Sequence, residues 1–243
     1  MRCVRCFLVI LLLLLVVNGE EEVLAMNTGF STEILPDEAK NTFLTNVNIS
    51  MLANEPPKRA IECFDVNEDG MIAIGSGDSV EKTIAIYDMA GSFQYGYKFN
   101  TYGSFGVEWD KNKIIIYFVR SDVAVALSSA GEVESILKIL DTSENNSYWN
   151  SFVLSPKRTV GRYEYILKND MGVLNFFTSS YSQLVAIDSA GESNVIYDVN
   201  LDQMYKTILI FAAVVLAIGI TIFAIVRECI KWNQQRYTEK TDR

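Results

Sequence analysis

Histidine is missing from all 243 residues of the chain. That removes the usual general base of Ser–His and Cys–His hydrolases and the commonest zinc ligand. Catalysis by carboxylates alone remains possible, while many enzyme classes are excluded. Cysteine is scarce too. Cys3 and Cys6 lie at the N-terminus, Cys229 follows a long apolar run, and Cys63 stands alone between them. One cysteine cannot form a disulfide within a domain, so Cys63 reads as a small buried apolar residue, with an intermolecular bridge as the alternative. Positive charge is thin across residues 26–205, which hold 24 acidic and 13 basic side chains, a net −11. Nucleic-acid binding needs a basic footprint, and this stretch is the reverse.

Charge is absent altogether from 207–226, TILIFAAVVLAIGITIFAIV. Twenty residues of helix rise about 30 Å, the thickness of a bilayer's hydrocarbon core. A core helix of this length would show a polar face, and this one shows none. The stretch predicts a single transmembrane helix in contact with a lipid bilayer. The tail 227–243 carries five basic and three acidic residues, which places it on the cytoplasmic side. Residues 1–25 have Arg2 and Arg5 before an apolar run of eleven, Phe7 to Val17. That run is too short to span, and Val23-Leu24-Ala25 offers small residues for cleavage before Met26. A signal peptide over 1–25 follows, an uncleaved anchor being the alternative. Residues 26–206 then lie outside the membrane.

In 26–60, Phe43, Thr45, Val47, Ile49 and Met51 alternate with Leu44, Asn46, Asn48 and Ser50. This period of two predicts one strand over 42–52, ended by Pro56-Pro57. From Ala60 to Asn200 short β-rich runs and tight turns recur. The first unit reads IECFDV (61–66), MIAIG (71–75), TIAIYD (83–88) and FQYGYKF (93–99). The second reads FGVEW (105–109), IIIYFV (114–119), VAVAL (123–127) and VESILKI (133–139). The third reads YEYILK (163–168), GVLNFFT (172–178), LVAID (184–188) and VIYDV (195–199). Ala90-Gly91, Ala130-Gly131 and Ala190-Gly191 each precede a last strand, as expected where a turn needs positive φ. The fold class is therefore all-β over 61–200, three antiparallel four-stranded meanders, followed by the C-terminal helix.

The pattern FDVNEDGMIAIGSGD…KTIAIYDMAGSFQYGYKF resembles blades of NHL/YVTN-type bacterial β-propellers, in which x-D-x-x-G and Y-D-x-x-G turns flank the two hairpins. The order of signal, meanders and helix is similar to that of envelope proteins of low-GC Gram-positive bacteria. The resemblance covers about 61–200 and implies a propeller-like domain. A closed propeller has four to eight blades, so three units leave edges to cover. The segments 42–52 and 141–161 are expected to supply a fourth, degenerate blade, with homo-oligomers or a partner protein as alternatives.

Three groups of residues are candidate sites. Asp65, Asn67 and Asp69 spell the opening of a calcium loop, D-x-N-x-D-G. An EF-hand would need an acid where Ser76 stands and an integrin-type loop one where Ala73 stands, so an ordinary Asx-rich turn is the stronger reading and calcium the alternative. Tyr148 and Trp149, in a polar insertion, are candidate contacts for a sugar or a partner, against the favoured reading that both rings join the core. Ala213, Ala217 and Thr221 line up at i, i+4 and i+8 as a candidate helix-association face. No constellation in the chain predicts catalysis. The expected function is binding or scaffolding at the cell envelope, with an envelope protein or polysaccharide as partner. The alternatives are a single-pass sensor and, last, a carboxylate-based envelope hydrolase.

Overall fold

The computed structural model describes residues 26–241 other than Ser179, and at 176, 177 and 233–241 the backbone only. The signal-peptide reading of 1–25 lies outside these residues. The chain is mostly β, in three antiparallel sheets, with one long apolar helix at its C-terminal end. In chain order the elements are β1 (Thr32–Ile34), α1 (Asp37–Val47), β2 (Ser50–Met51), β3 (Ile61–Val66), β4 (Ile72–Gly77), β5 (Glu81–Tyr87) and β6 (Phe93–Asn100). Then come β7 (Phe105–Asp110), β8 (Lys113–Phe118), β9 (Val123–Leu127), β10 (Val133–Ile139), α2 (Ser143–Tyr148) and β11 (Lys157–Val160). The last are β12 (Tyr163–Lys168), β13 (Gln183–Ile187), β14 (Ser193–Asp198) and α3 (Asn200–Thr241).

Sheet A runs β1-β10-β9-β8-β7, sheet B runs β2-β6-β5-β4-β3, and sheet C runs β11-β12-β13-β14. Each contains one four-stranded meander in chain order. Sheet B lies between the other two. Alternate residues of its strands enter two different cores, as the period of two in a strand demands. Cys63, Ala73, Ile84, Ile86 and Tyr97 face sheet A and pack with Phe105, Val107, Ile114, Ile116 and Phe118. Phe64, Ile72, Ile74, Ala85 and Tyr87 face sheet C and pack with Tyr165, Leu167, Leu184, Ile196 and Tyr197. The far face of sheet A, with Ile115, Tyr117, Ala124 and Ala126, is covered by Met26, Phe30 and Val153.

Two segments differ from the sequence expectation. Residues 37–47 form a helix rather than a strand. Asp37 and Glu38 occupy its first turn behind Pro36, and Asn48 closes it in the left-handed region at φ 49°. Acidic residues suit a helix N-terminus, and asparagine tolerates that φ. Phe43, Leu44 and Val47 share a face at helical spacing and pack onto the core between sheets A and B. Only Ser50 and Met51 pair as a strand, on Lys98 and Tyr97 of β6. In the third meander GVLNFFT is not a strand: Gly172–Phe177 is a 3-10 helix. Asn175 draws it together, accepting from Met171 N (2.9 Å) and donating to Asn169 O (3.2 Å). The missing strand comes from the insertion, whose residues 157–160 form β11. The segments 42–52 and 141–161 therefore build no fourth sheet among the described residues. They lengthen sheet B by one strand, begin sheet C, and cover sheet A, while β1 caps the outer strand β10.

Four hairpin turns share one set of bonds. In each, a glycine N–H donates to the carbonyl three residues before it, in Asn67–Gly70, Asp88–Gly91, Ser128–Gly131 and Asp188–Gly191. The side chain of the first residue accepts from the N–H of the residue after the glycine: Met71, Ser92, Glu132 and Glu192. The glycines have φ of 79°, 77°, 82° and 85°. A Cβ on Gly191 would meet nothing, whereas one on Gly91 would fall 2.9 Å from Ile196 O in sheet C. Gly191→Ala should therefore cost about 1–2 kcal/mol, the conformational penalty alone. Gly91→Ala should cost more, because β14 must also move. Denaturant midpoints of the two variants check the order.

Candidate functional site

The first strands of the three meanders, β3, β7 and β11, come together, with β3 beside both β7 and β11. At the ends of β3 and β7 and along β11 a cleft of about 660 Å³ opens, lined by Asp65, Asn67, Glu68, Asp69, Glu108, Trp109, Asp110, Lys111, Phe152, Lys157 and Arg158 among others. Acidic side chains outnumber basic ones along its wall.

Its floor is an ion pair. Arg158 Nε donates to Asp65 Oδ1 at 2.7 Å, with both side chains 7% exposed. The second Asp65 oxygen accepts from Trp109 N at 2.8 Å. The arginine's remaining N–H groups turn to backbone carbonyls: Lys157 at 2.9 Å, Ser155 at 3.3 Å, Val153 at 3.4 Å and Phe64 at 3.5 Å. Its guanidinium lies 4.6 Å from the Phe152 ring centroid, a stacking that a weakly hydrated planar cation favours. One bonded cluster thus ties β3, β7, the insertion and β11. Burial raises the Asp65 carboxyl above its ordinary value, against the opposing pull of Arg158 and the Trp109 amide.

Beside it is Glu108. Tyr148 donates to its Oε1 at 2.8 Å and Tyr117 to its Oε2 at 2.5 Å, and the Tyr117 hydroxyl also meets Thr28 Oγ1 at 2.6 Å. Burial raises the Glu108 carboxyl, with the two phenols acting in the opposite direction. Both tyrosines are pushed up, by burial first and by the Glu108 charge second. Asp110, at the end of β7, accepts from Asn27 N at 3.0 Å.

The structure places the sequence candidates as follows. Asp65 belongs to the ion pair. Asn67 opens one of the four alike hairpin turns, its Oδ1 accepting from Met71 N at 2.8 Å. Asp69 lies at the cleft wall. The turn's own bonds account for Asn67 and Gly70, and the ion pair accounts for Asp65, so the D-x-N-x-D-G spelling needs no calcium to explain it. Among the described residues no group of three or more His, Cys, Asp or Glu side chains is placed to hold a metal. Tyr148 and Trp149 lie half-buried over sheet A. Tyr148 packs edge-on to Phe30 and stacks on Phe152, and Trp149 meets Tyr117. Gly106 of β7 has no side chain because Val153 and Trp149 occupy that space. Ala213, Ala217 and Thr221 are exposed along α3, Thr221 Oγ1 donating to Ala217 O at 2.8 Å.

The sequence reading missed Arg158 and Glu108. Glu108 left a signal: it is an acid within the strand FGVEW, on the same face as Gly106. Arg158 left none, because its partner is 93 residues away. No family model, no curated protein and no solved structure matches the chain.

Removing one partner of a buried ion pair strands the other, at a cost of about 3–5 kcal/mol. Arg158→Met should lose stability in that range, and adding Asp65→Leu should recover much of it. A double-mutant cycle on denaturation midpoints checks this. Glu108 sets a pH test. Its folded value lies above its unfolded one, so in the window between them the folded state binds more protons. Its contribution to stability therefore falls as pH rises through that window. Wild type should gain stability over Glu108→Gln as pH is lowered from neutral toward the ordinary glutamate range, read as the difference between their melting temperatures.

Proposed function

We propose that this is a membrane-anchored binding module of the cell envelope, with its cleft as the binding surface. The observation that carries the reading is the position of the cleft relative to α3. The start of β3 is held at the helix end of the domain: Ile61 and Tyr181 exchange backbone bonds of 2.8 and 3.2 Å, and Ser180, next to Tyr181, accepts from Gln203 of α3. The other end of β3 forms the cleft floor. Five residue steps of strand separate the two ends by about 17 Å. α3 includes a run long and apolar enough to cross a membrane, with mean hydropathy 3.0 and none of that window buried in the protein. With that run in the bilayer, the cleft opens away from the lipid.

The commitments of the charged groups favour binding over catalysis. Both oxygens of Asp65 and both of Glu108 already accept hydrogen bonds. A general acid or base must instead offer its oxygen to a substrate. The groups free to meet a partner are those of the rim, Glu68, Asp69 and Lys111. The three sheets stack face to face with their first strands gathered at one side, an arrangement that supports the propeller-like reading as an open arc of three blades. A signal peptide at 1–25 and a cytoplasmic tail complete the proposed topology. One observation favours the sensor alternative: α3 runs unbroken from Asn200 to Thr241, so a tilt of the domain would reach the tail through a rigid rod.

A photo-crosslinking amino acid at Asp69 or Lys111, in the full-length protein in cells, tests the cleft. Adducts to an envelope protein or polysaccharide are expected at both positions and not at Tyr102, an exposed residue away from the cleft. Equal adducts at all three, or none at the cleft, reject it.

A further inference from the structure

The β12–β13 connection, residues 169–182, wraps the start of α3. Asn200 Nδ2 donates to Asp170 O at 2.6 Å, and Gln203 Nε2 to Ser180 O and Oγ at 3.3 and 3.2 Å. The 3-10 turn Gly172–Phe177 within it packs directly on the helix. Gln203 is buried there, and Met204 and Thr207, one and four residues on, are less exposed than the helix positions between them. From Gln203 to Thr207 the helix rises only about 6 Å. The connection therefore reaches the first residue of the apolar run.

The helix carries its own depth scale. Tyr205 lies two residues before that run and Trp232 six after it, each more than half exposed. Twenty-seven steps of helix separate them by about 40 Å, the thickness of a bilayer including its headgroup layers. Tyrosine and tryptophan favour those layers, where an apolar ring and a polar tip are both satisfied. This puts Tyr205, and the connection packed on the helix at the same level, among the headgroups. At the tip of the connection Val173 is 87% exposed, the highest value among the large apolar side chains described, and Leu201 in the first turn of α3 is 67% exposed. The connection also satisfies many of its own polar groups. Asn169 accepts from Ser182 N at 2.7 Å and donates to Ser180 O, and Asn175 bonds Met171 N and Asn169 O. Backbone with internal partners is what a poorly hydrated layer tolerates.

We propose that the 172–177 turn, with Leu201 and Tyr205, inserts into the interfacial layer of the leaflet where α3 enters, docking the β domain on the lipid surface. This rests on the reading of α3 as a membrane span. The domain is then held at two places, by the helix and by the turn beside it, and its orientation over the membrane is fixed.

Site-directed spin labels in the full-length protein, reconstituted in phosphatidylglycerol–phosphatidylcholine vesicles, test this. Cys3, Cys6 and Cys229 are replaced by serine, and Cys63 is buried. Labels go at Val173→Cys, at Leu216→Cys within the apolar run and at Lys111→Cys at the cleft. Collision with oxygen, which concentrates in lipid, is compared with collision with an aqueous nickel chelate. The label at 173 should be several-fold less accessible to nickel than the label at 111, with a depth at headgroup level or below. If 216 reads lipid and 173 reads water like 111, the docking proposal is overturned while the span stands. If 216 itself reads water, the span reading falls and docking with it.

Discussion

The β3–β5 part of sheet B has almost no wet face, and the rest of the domain depends on that constraint. Nearly every residue of β4 is buried, and β3 and β5 are close to it. A strand apolar on both sides needs a layer on each. Sheets A and C supply those layers, and neither could stand without sheet B, since each offers it an apolar face of its own. The N-terminal segment then does for sheet A what sheet A does for sheet B. Phe30 and Met26 cover its far face, and β1 caps its outer strand. Asn145 fixes that segment in place, bonding both Ser31 N and Ser31 O.

Much of this was legible along the chain, because local pattern dictates it. All eight strands of the first two meanders fall where alternating apolar runs lie between turn residues, and the Ala-Gly turns take the positive φ their glycines allow. What was not legible depends on contacts across the chain. The alternation from Phe43 to Met51 fits a strand and, through Phe43, Leu44 and Val47, fits a helix equally. The core that accepts those three side chains decides between them. GVLNFFT reads as β-rich by composition, but Asn169 and Asn175 offer its backbone bonds that no ladder provides. β11 gives little sign of itself within the polar insertion, because KRTV has little apolar content and is held through Arg158.

The site was legible in fragments. Asp65, Asn67 and Asp69 share one spelling, yet their side chains serve different ends. Asn67 and Gly70 serve the turn, Asp65 serves the ion pair, and Asp69 is left at the rim. Tyr148 and Trp149 stood out as aromatic residues in a polar stretch, and both meet sheet A. Tyr148 contributes its hydroxyl to Glu108, so the same ring is packing on one side and hydrogen bonding on the other. Arg158 shows the limit of local reading: nothing near it in sequence signals a buried cation.

The Asp65–Arg158 pair also sets how far the chain must reach before the domain is closed. Asp65 is made early, and its partner arrives 93 residues later. Without that partner β3 would close over the carboxyl only by stranding a charge in apolar surroundings or by protonating it. A first hairpin that formed ahead of time would have to leave that end open to water. β1 must wait as well, since its pairing strand β10 is about 105 residues downstream. Both closures join distant parts of the chain, the kind of contact whose loop entropy must be met before the contact rewards it.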